Sequence, residues 1–324
     1  MIRLSNIDNT IKEKHKEWFK SYVEKNLEEK IKELETVGNP SNSKFIEFLK
    51  ELKSIENLAI LDNEEMLQLI DRFHQLNLPK EDLEILEKIF NYEYFSKLEP
   101  PKWSRHKLLT SLGVKVCPYC QRNYITSYTL EENKVEKATA DLDHFYPKKD
   151  YPFLALSLYN FIPSCSICNS RMKLKKTTYD KDNKKNSIVY PYTDNFKGIF
   201  KTNNQLLEVL LGSRDTFEVS IDSQEDSKTQ ATIDMFKLDK VYKEAHNEYL
   251  LHMMESIKNK PESYLKSIAE FFIKEDSQDK EELEKVILAN LKDIVLEPYR
   301  FKIKNGEPLA KLTQDILKEF DIEV

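Results

Sequence analysis

The sequence predicts a mainly α protein with a small α+β core, the core stapled by a four-cysteine metal site and flanked by N- and C-terminal helical regions. Three observations carry that expectation. Only 5 glycines occur in 324 residues, which disfavours glycine-rich phosphate loops, dinucleotide-binding turns and barrels full of tight turns. Apolar residues recur with helical spacing on both sides of the middle of the chain. The only four cysteines fall in that middle as two CxxC pairs.

Taken in order, the first region spans residues 1–99. Ile11, Trp18, Phe19, Tyr22, Val23, Leu27, Ile31 and Leu34 form one helical stripe, which Gly38-Asn39-Pro40 should end. Ser43 can cap a second helix carrying Phe45, Ile46, Leu49 and Leu52, and Asp62 or Asn63 a third carrying Met66, Leu67, Ile70 and Phe73. Pro79 can open a fourth helix with Leu83, Leu86, Ile89 and Phe90, and Glu99-Pro100-Pro101 marks the boundary.

The second region, 100–200, has a short helix after Ser104, then β-like runs at Tyr124–Leu130 and Val135–Leu142 that could pair around Glu131-Glu132-Asn133-Lys134. The third, 201–324, opens with an expected hairpin, Leu206–Leu211 and Thr216–Ile221 around Gly212-Ser213-Arg214-Asp215. Helices follow over about Thr229–Lys258, Glu262–Lys274 and Lys280–Leu296.

Charge and hydropathy narrow the setting. Lysine and arginine number 50 against 56 acidic residues, a net charge of −6. No run approaches the roughly 18 apolar residues of a membrane span, and Met1–Asn6 lacks the apolar core of a secretory signal. The expectation is a cytoplasmic protein without a membrane partner. In a reducing compartment, Cys117, Cys120, Cys165 and Cys168 read as structural zinc ligands rather than as disulfides. The 44 residues between the pairs exceed ordinary zinc-ribbon spacing, so something is folded between the two halves of the site.

Those residues carry the chemistry. Asp141-Leu142-Asp143-His144 ends the expected second strand, Asn160 lies in a loop, and Asn169 follows the last cysteine on an expected helix from Ser166 to about Lys176. A strand end at Phe145-Tyr146-Pro147 would let Asp143 ligate a hard divalent ion while His144 takes a proton from water. Asn169 offers a second oxygen ligand, and Lys173 shares its helix face. Asp141 could add a carboxylate or only brace the hairpin. Arg171 to Lys185 holds seven cationic side chains against two carboxylates, with Arg171, Lys173, Lys175 and Lys176 nearest the cysteines, a stretch suited to phosphate contact.

The order CxxC, Asp-His, Asn, CxxC-Asn-x-x-x-Lys over about residues 117–176 resembles the HNH endonuclease family. The resemblance implies a ββα-metal core stapled by zinc, with His144 as general base and Asp143 on a catalytic Mg²⁺ or Mn²⁺. It implies that Asn160 holds the loop orienting His144 and that Asn169, in place of the family's final histidine, is the second metal ligand. Tyr151-Pro152, Tyr190-Pro191-Tyr192 and Ala231–Asp239 extend the similarity to HNH nucleases of antiphage systems of the Septu type and related retron effectors. That narrower resemblance implies an ABC-like ATPase partner and a nucleic-acid substrate, DNA favoured. An RNA-cleaving effector and a zinc-stapled interaction module with a vestigial site are the alternatives. Because the chain is acidic overall, a partner would supply much of the affinity.

Overall fold

In the computed structural model, the described residues are 3–37, 43–99, 101–130, 135–258, 285 and 295–324. They are mainly helical, with four small two-stranded antiparallel sheets. Contacts divide the chain into two compact units, Met1–Phe196 and Lys197–Val324. The expected boundary near residue 100 therefore lies inside the first unit. Among the described residues, no helix is long and apolar enough to cross a membrane.

The first unit opens with helix α1 (Asn9–Phe19), which runs through a π-type turn (Lys20–Glu24) into α2 (Lys25–Val37), so the long apolar stripe is one rod. The residues expected to stop it, 38–40, lie outside the described residues. Helix α3 (Ser43–Ser54) follows, then α4 (Asn63–Leu76). At the start of α4 the Asp62 side chain accepts from the Glu65 N–H while Glu65 reaches back to the Asp62 N–H, satisfying two otherwise orphaned donors. Pro79 stands just before α5 (Lys80–Ile89), Asn91 caps α6 (Tyr92–Lys97), and Ser104 caps α7 (Arg105–Leu112). Helix α7 stops at Gly113, whose φ of 61° suits glycine.

These helices bury Phe19, Phe48, Phe73, Phe90 and Phe95 together with Phe153 and Phe161 from the cysteine-bearing segment. Each such side chain is worth roughly 1.5–3 kcal/mol of burial. The N-terminal helices and the middle region therefore share one core. His15 of α1 is buried within it: the Trp103 indole N–H donates to its Nδ1 (3.1 Å), and Nε2 donates to the Leu156 carbonyl (2.8 Å).

Strand β1 (Ser127–Leu130) pairs with β2 (Val135–Ala138); the turn expected between them lies outside the described residues. The second run is not one strand to Leu142, as expected. It stops at Ala138, and Thr139 closes back on Thr126 through both backbone and hydroxyl. A new strand, β3 (Asp141–His144), then pairs with β4 (Phe161–Ser164), Asp143 opposite Ile162 and His144 opposite Phe161. A helical segment follows over Ile167–Lys173, shorter than expected and wound wide, the Leu174 N–H reaching back five residues to Asn169. Short strands β5 (Tyr179–Asp180) and β6 (Lys185–Asn186) complete the unit.

The second unit corrects the sequence reading twice. No hairpin forms from Leu206–Leu211 and Thr216–Ile221: Gln205–Leu210 is helix α8, and β7 (Ile199–Lys201) pairs instead with β8 (Ser220–Asp222). The less exposed residues of the run are Leu206, Val209 and Leu210, a three-to-four spacing rather than two. The long helix expected over Thr229–Lys258 is three, α9 (Ser227–Phe236), α10 (Leu238–Ala245) and α11 (Asn247–Lys258), because Lys237 turns left-handed (φ 50°) and His246 leaves the helical region. The helix expected at Glu262–Lys274 and most of that at Lys280–Leu296 fall outside the described residues. A helix at Ala310–Glu319 packs against β7.

Candidate functional site

Two turns bring the four cysteines together. Cys117-Pro118-Tyr119-Cys120 is a tight turn closed by the Gln121 N–H on the Cys117 carbonyl (2.9 Å). Cys165 and Cys168 flank the start of the wide helical segment. All four are buried and free of disulfides, and their sulfurs lie within 4.8 Å of one another, with Cys120 and Cys165 at 4.0 Å. Sulfurs on a zinc tetrahedron sit about 3.8 Å apart, so four buried thiols at this spacing can hold a structural metal such as zinc. Burial, then the neighbouring sulfurs, pushes the Cys117 thiol well above its ordinary range; a divalent cation reverses that balance. The Asn123 amide donates to Cys165 Sγ (3.3 Å) and Cys120 Sγ (3.8 Å), and the Cys168 N–H to Cys165 Sγ (3.4 Å).

A chain of polar contacts leads from this cluster to β3. Tyr119, between the first two cysteines, donates its hydroxyl to Asp143 Oδ2 (2.7 Å), and Lys173 donates to Asp143 Oδ1 (3.0 Å) and to the His144 carbonyl (2.5 Å). Asp143 is 3% exposed and Lys173 1%. Burial raises the Asp143 carboxyl while Lys173 and Tyr119 pull it back, leaving it above the ordinary value. Both Asp143 oxygens thus have protein partners. The Lys173 ammonium is committed inside the fold.

His144 is 8% exposed and packs edge-on against Tyr92 of α6, ring centres 4.5 Å apart. Its Nε2 lies 2.9 Å from the Ala155 carbonyl. A carbonyl only accepts, so Nε2 carries the proton and Nδ1 is the ring's basic nitrogen. Burial lowers the imidazole pKa to about 3, with Lys148 and Lys173 adding to the effect against the Ala155 bond. At neutral pH the ring is uncharged.

Asn160 sets the loop that carries Ala155. Its Oδ1 accepts from the Tyr146 N–H (2.7 Å), while its Nδ2 donates to the carbonyls of Tyr146 (3.1 Å) and Leu154 (2.9 Å). Asn169 meets Asp141 rather than Asp143, with Nδ2 3.1 Å from Asp141 Oδ2; Arg105 of α7 stands 3.5 Å from Asp141 Oδ1 and donates to the Ala140 carbonyl (2.7 Å). Amide oxygen and nitrogen exchange by a simple flip, so Asn169 and Asp141 can present two oxygens to a cation at this spot.

A cleft of about 620 Å³ opens over these groups. Asp141, Asp143, His144 and Asn169 line it, together with Lys148, Lys149, Lys173 and Lys175, and with Glu87, Asn91, Tyr92 and Glu93 from α5, α6 and the turn between them. Lys148 lies 2.9 Å from Glu93 and 4.8 Å over the Tyr92 ring. Arg171, Lys175 and Lys176 are exposed. Sequence reasoning brought the cysteines, Asp143, His144, Asn160 and Asn169 into one module but missed Tyr92, Arg105 and Asn123. Only Asn123, three residues after Cys120, left a local signal.

No protein-family model matches the chain, and no solved structure matches it. Among curated proteins it is similar to the Septu protein PtuB of Bacillus thuringiensis, 32% identical over 100 residues, covering 31% of this chain and 33% of that protein. It is also similar to protein ea31 of Escherichia phage lambda, 28% identical over 170 residues, half of each chain. The chain spans between a third and a half of the length of these relatives.

Proposed function

We propose that this chain is a metal-dependent HNH endonuclease that hydrolyses phosphodiester bonds in nucleic acid, DNA favoured, as the effector of a bacterial antiphage system acting with an ATPase partner. The observation that carries the reading is His144: an imidazole held neutral, its tautomer fixed by a backbone carbonyl, on the floor of a cleft beside two carboxylates and an amide. Two antiparallel strands followed by a helical segment, joined to a four-cysteine cluster, support the HNH assignment. The partial similarity to a Septu protein supports the defence role.

In this reading His144 Nδ1 takes the proton of the attacking water. A bound phosphodiester brings negative charge beside Lys148 and Lys173, which raises the proton affinity of His144 from its low resting value. Asp141 and Asn169, with Asp143 on the same wall, would hold a Mg²⁺ or Mn²⁺ ion. When bound, the ion supplies positive charge to the developing oxyanion and leaving oxygen. Asn160 holds the Ala155 carbonyl in place and so aims the imidazole. Lys148, Lys149, Arg171, Lys175 and Lys176 would meet the flanking phosphates, and Lys173 keeps Asp143 in position. Zinc on Cys117, Cys120, Cys165 and Cys168 would anchor Tyr119 against Asp143.

The test is cleavage of plasmid DNA and of total RNA by the purified chain with Mg²⁺ or Mn²⁺, alone and together with an ABC-like ATPase. His144→Ala should lower the rate about 10²–10⁴-fold without changing zinc content. Unchanged cleavage in that variant would refute the assignment.

A further inference from the structure

Three features of the cleft point to the form of its ligand. The first is charge placement: the loops after β3 and after the helical segment bring Lys148, Lys149 and Lys175 to the lining, α5 and α6 bring Glu87 and Glu93, and β3 itself brings Asp141 and Asp143. The second is depth: His144 is 8% exposed, with the Tyr92 ring against it.

The third is Leu174 on the rim. This side chain is 55% exposed, sits between the buried Lys173 and the exposed Lys175, and adopts φ 55° and ψ −128°, a conformation costly for any residue with a branched side chain. A ligand with flat apolar faces would cover this exposed apolar group.

We infer that the cleft takes a single polynucleotide strand with unpaired bases, DNA or RNA, and discriminates against a duplex. The inference rests on the nuclease reading for its chemistry, but not for its binding. One strand can lay its phosphates along Lys148, Lys149 and Lys175 and turn its bases towards Leu174. A duplex hides its base faces and would bring its second row of phosphates against Glu87 and Glu93. Leu174 then packs its apolar side chain against the face of an unpaired base.

The experiment is fluorescence anisotropy with the zinc-loaded full chain and no added Mg²⁺, using one labelled oligonucleotide as single strand and annealed to its complement, in DNA and RNA forms. Single strands should bind about tenfold tighter than duplex, the factor that burying one half-exposed leucine supplies. Leu174→Ala should weaken single-strand binding and leave duplex binding unchanged, and Glu87→Gln with Glu93→Gln should narrow the gap by raising duplex binding. Leu174→Gly adds a readout that packing alone would not move: the strain is relieved, so Tm rises while single-strand affinity falls. Duplex binding as tight as single-strand binding, no binding of either, or a Leu174→Gly variant with unchanged affinity overturns the inference. Parallel cleavage assays with Mg²⁺ or Mn²⁺ separate it from the nuclease reading. Strand-selective binding without cleavage breaks the latter alone, and equal cleavage of both forms with no strand preference in binding breaks the former alone.

Discussion

The two units differ most in what they bury. Among the described residues, the first unit encloses His15, Asp143, His144, Asn160, Lys173 and Asn186, whereas the buried polar residues of the second are Thr202, Thr229, Thr232 and Thr313. A threonine hydroxyl can satisfy itself on the preceding helical turn, as Thr232 does on Lys228 (2.7 Å) and Thr313 on Leu309 (2.9 Å). An ammonium, a carboxylate or an imidazole cannot, and its desolvation must be met by partners distant in the chain. One unit is thus built as a scaffold, and the other holds charged, amide and imidazole groups whose burial depends on partners far along the chain.

The largest test of this contrast is metal removal. Chelating a metal bound by the four cysteines, or replacing Cys165 by Ser, should cost the first unit on the order of 10 kcal/mol. Hydrogen exchange should rise across β3, β4 and the Ile167–Lys173 segment, while the α9–α11 helices keep their protection; loss of protection in both units together would erase the distinction.

Next comes the buried pair. Lys173→Met leaves Asp143 enclosed without its cation and should destabilise by about 3–5 kcal/mol in urea denaturation. Adding Asp143→Asn should recover part of that loss. A Lys173→Met variant as stable as wild type would show the pair to be incidental.

Acid should separate the units as well. Burial is the main cause that holds His15 at about 4 and His144 at about 3, against an ordinary value of 6.5. Because the unfolded chain binds these protons more readily, the stabilisation is full above pH 6.5 and is lost progressively as pH falls, through about 4 for His15 and about 3 for His144. For His15 the loss amounts to about 3 kcal/mol. Thermal melts across pH 7 to 4 should show the first unit falling faster than the second. The smallest effect is in the scaffold: Thr313→Val keeps the shape and removes a hydroxyl bonded to Leu309 and Tyr249 (2.6 Å), costing about 1 kcal/mol.

How much was legible follows from the range of each interaction. The caps at Asp62 and Ser104 and the CxxC turns are local, and the sequence displays them. Asp143 and His144 could be placed at a strand end because Pro147 follows closely. Lys173 could not be read correctly by neighbourhood: it stands in a basic run with exposed Arg171, Lys175 and Lys176, and its partner is thirty residues away. Asn169 has the same difficulty, since its contact with Asp141 depends on how the wide helical segment meets β3. The α8 run misled because five apolar or acidic residues fit either period, and packing chose the helical one.

The two histidine tethers end on neighbouring backbone oxygens, those of Ala155 and Leu156. Every amino acid carries that oxygen, so no substitution at either position can delete the acceptor. Drift at 155 and 156 is therefore constrained by volume alone, and the orientation of His144 is inherited through the path of the chain rather than through the identity of the residues that hold it.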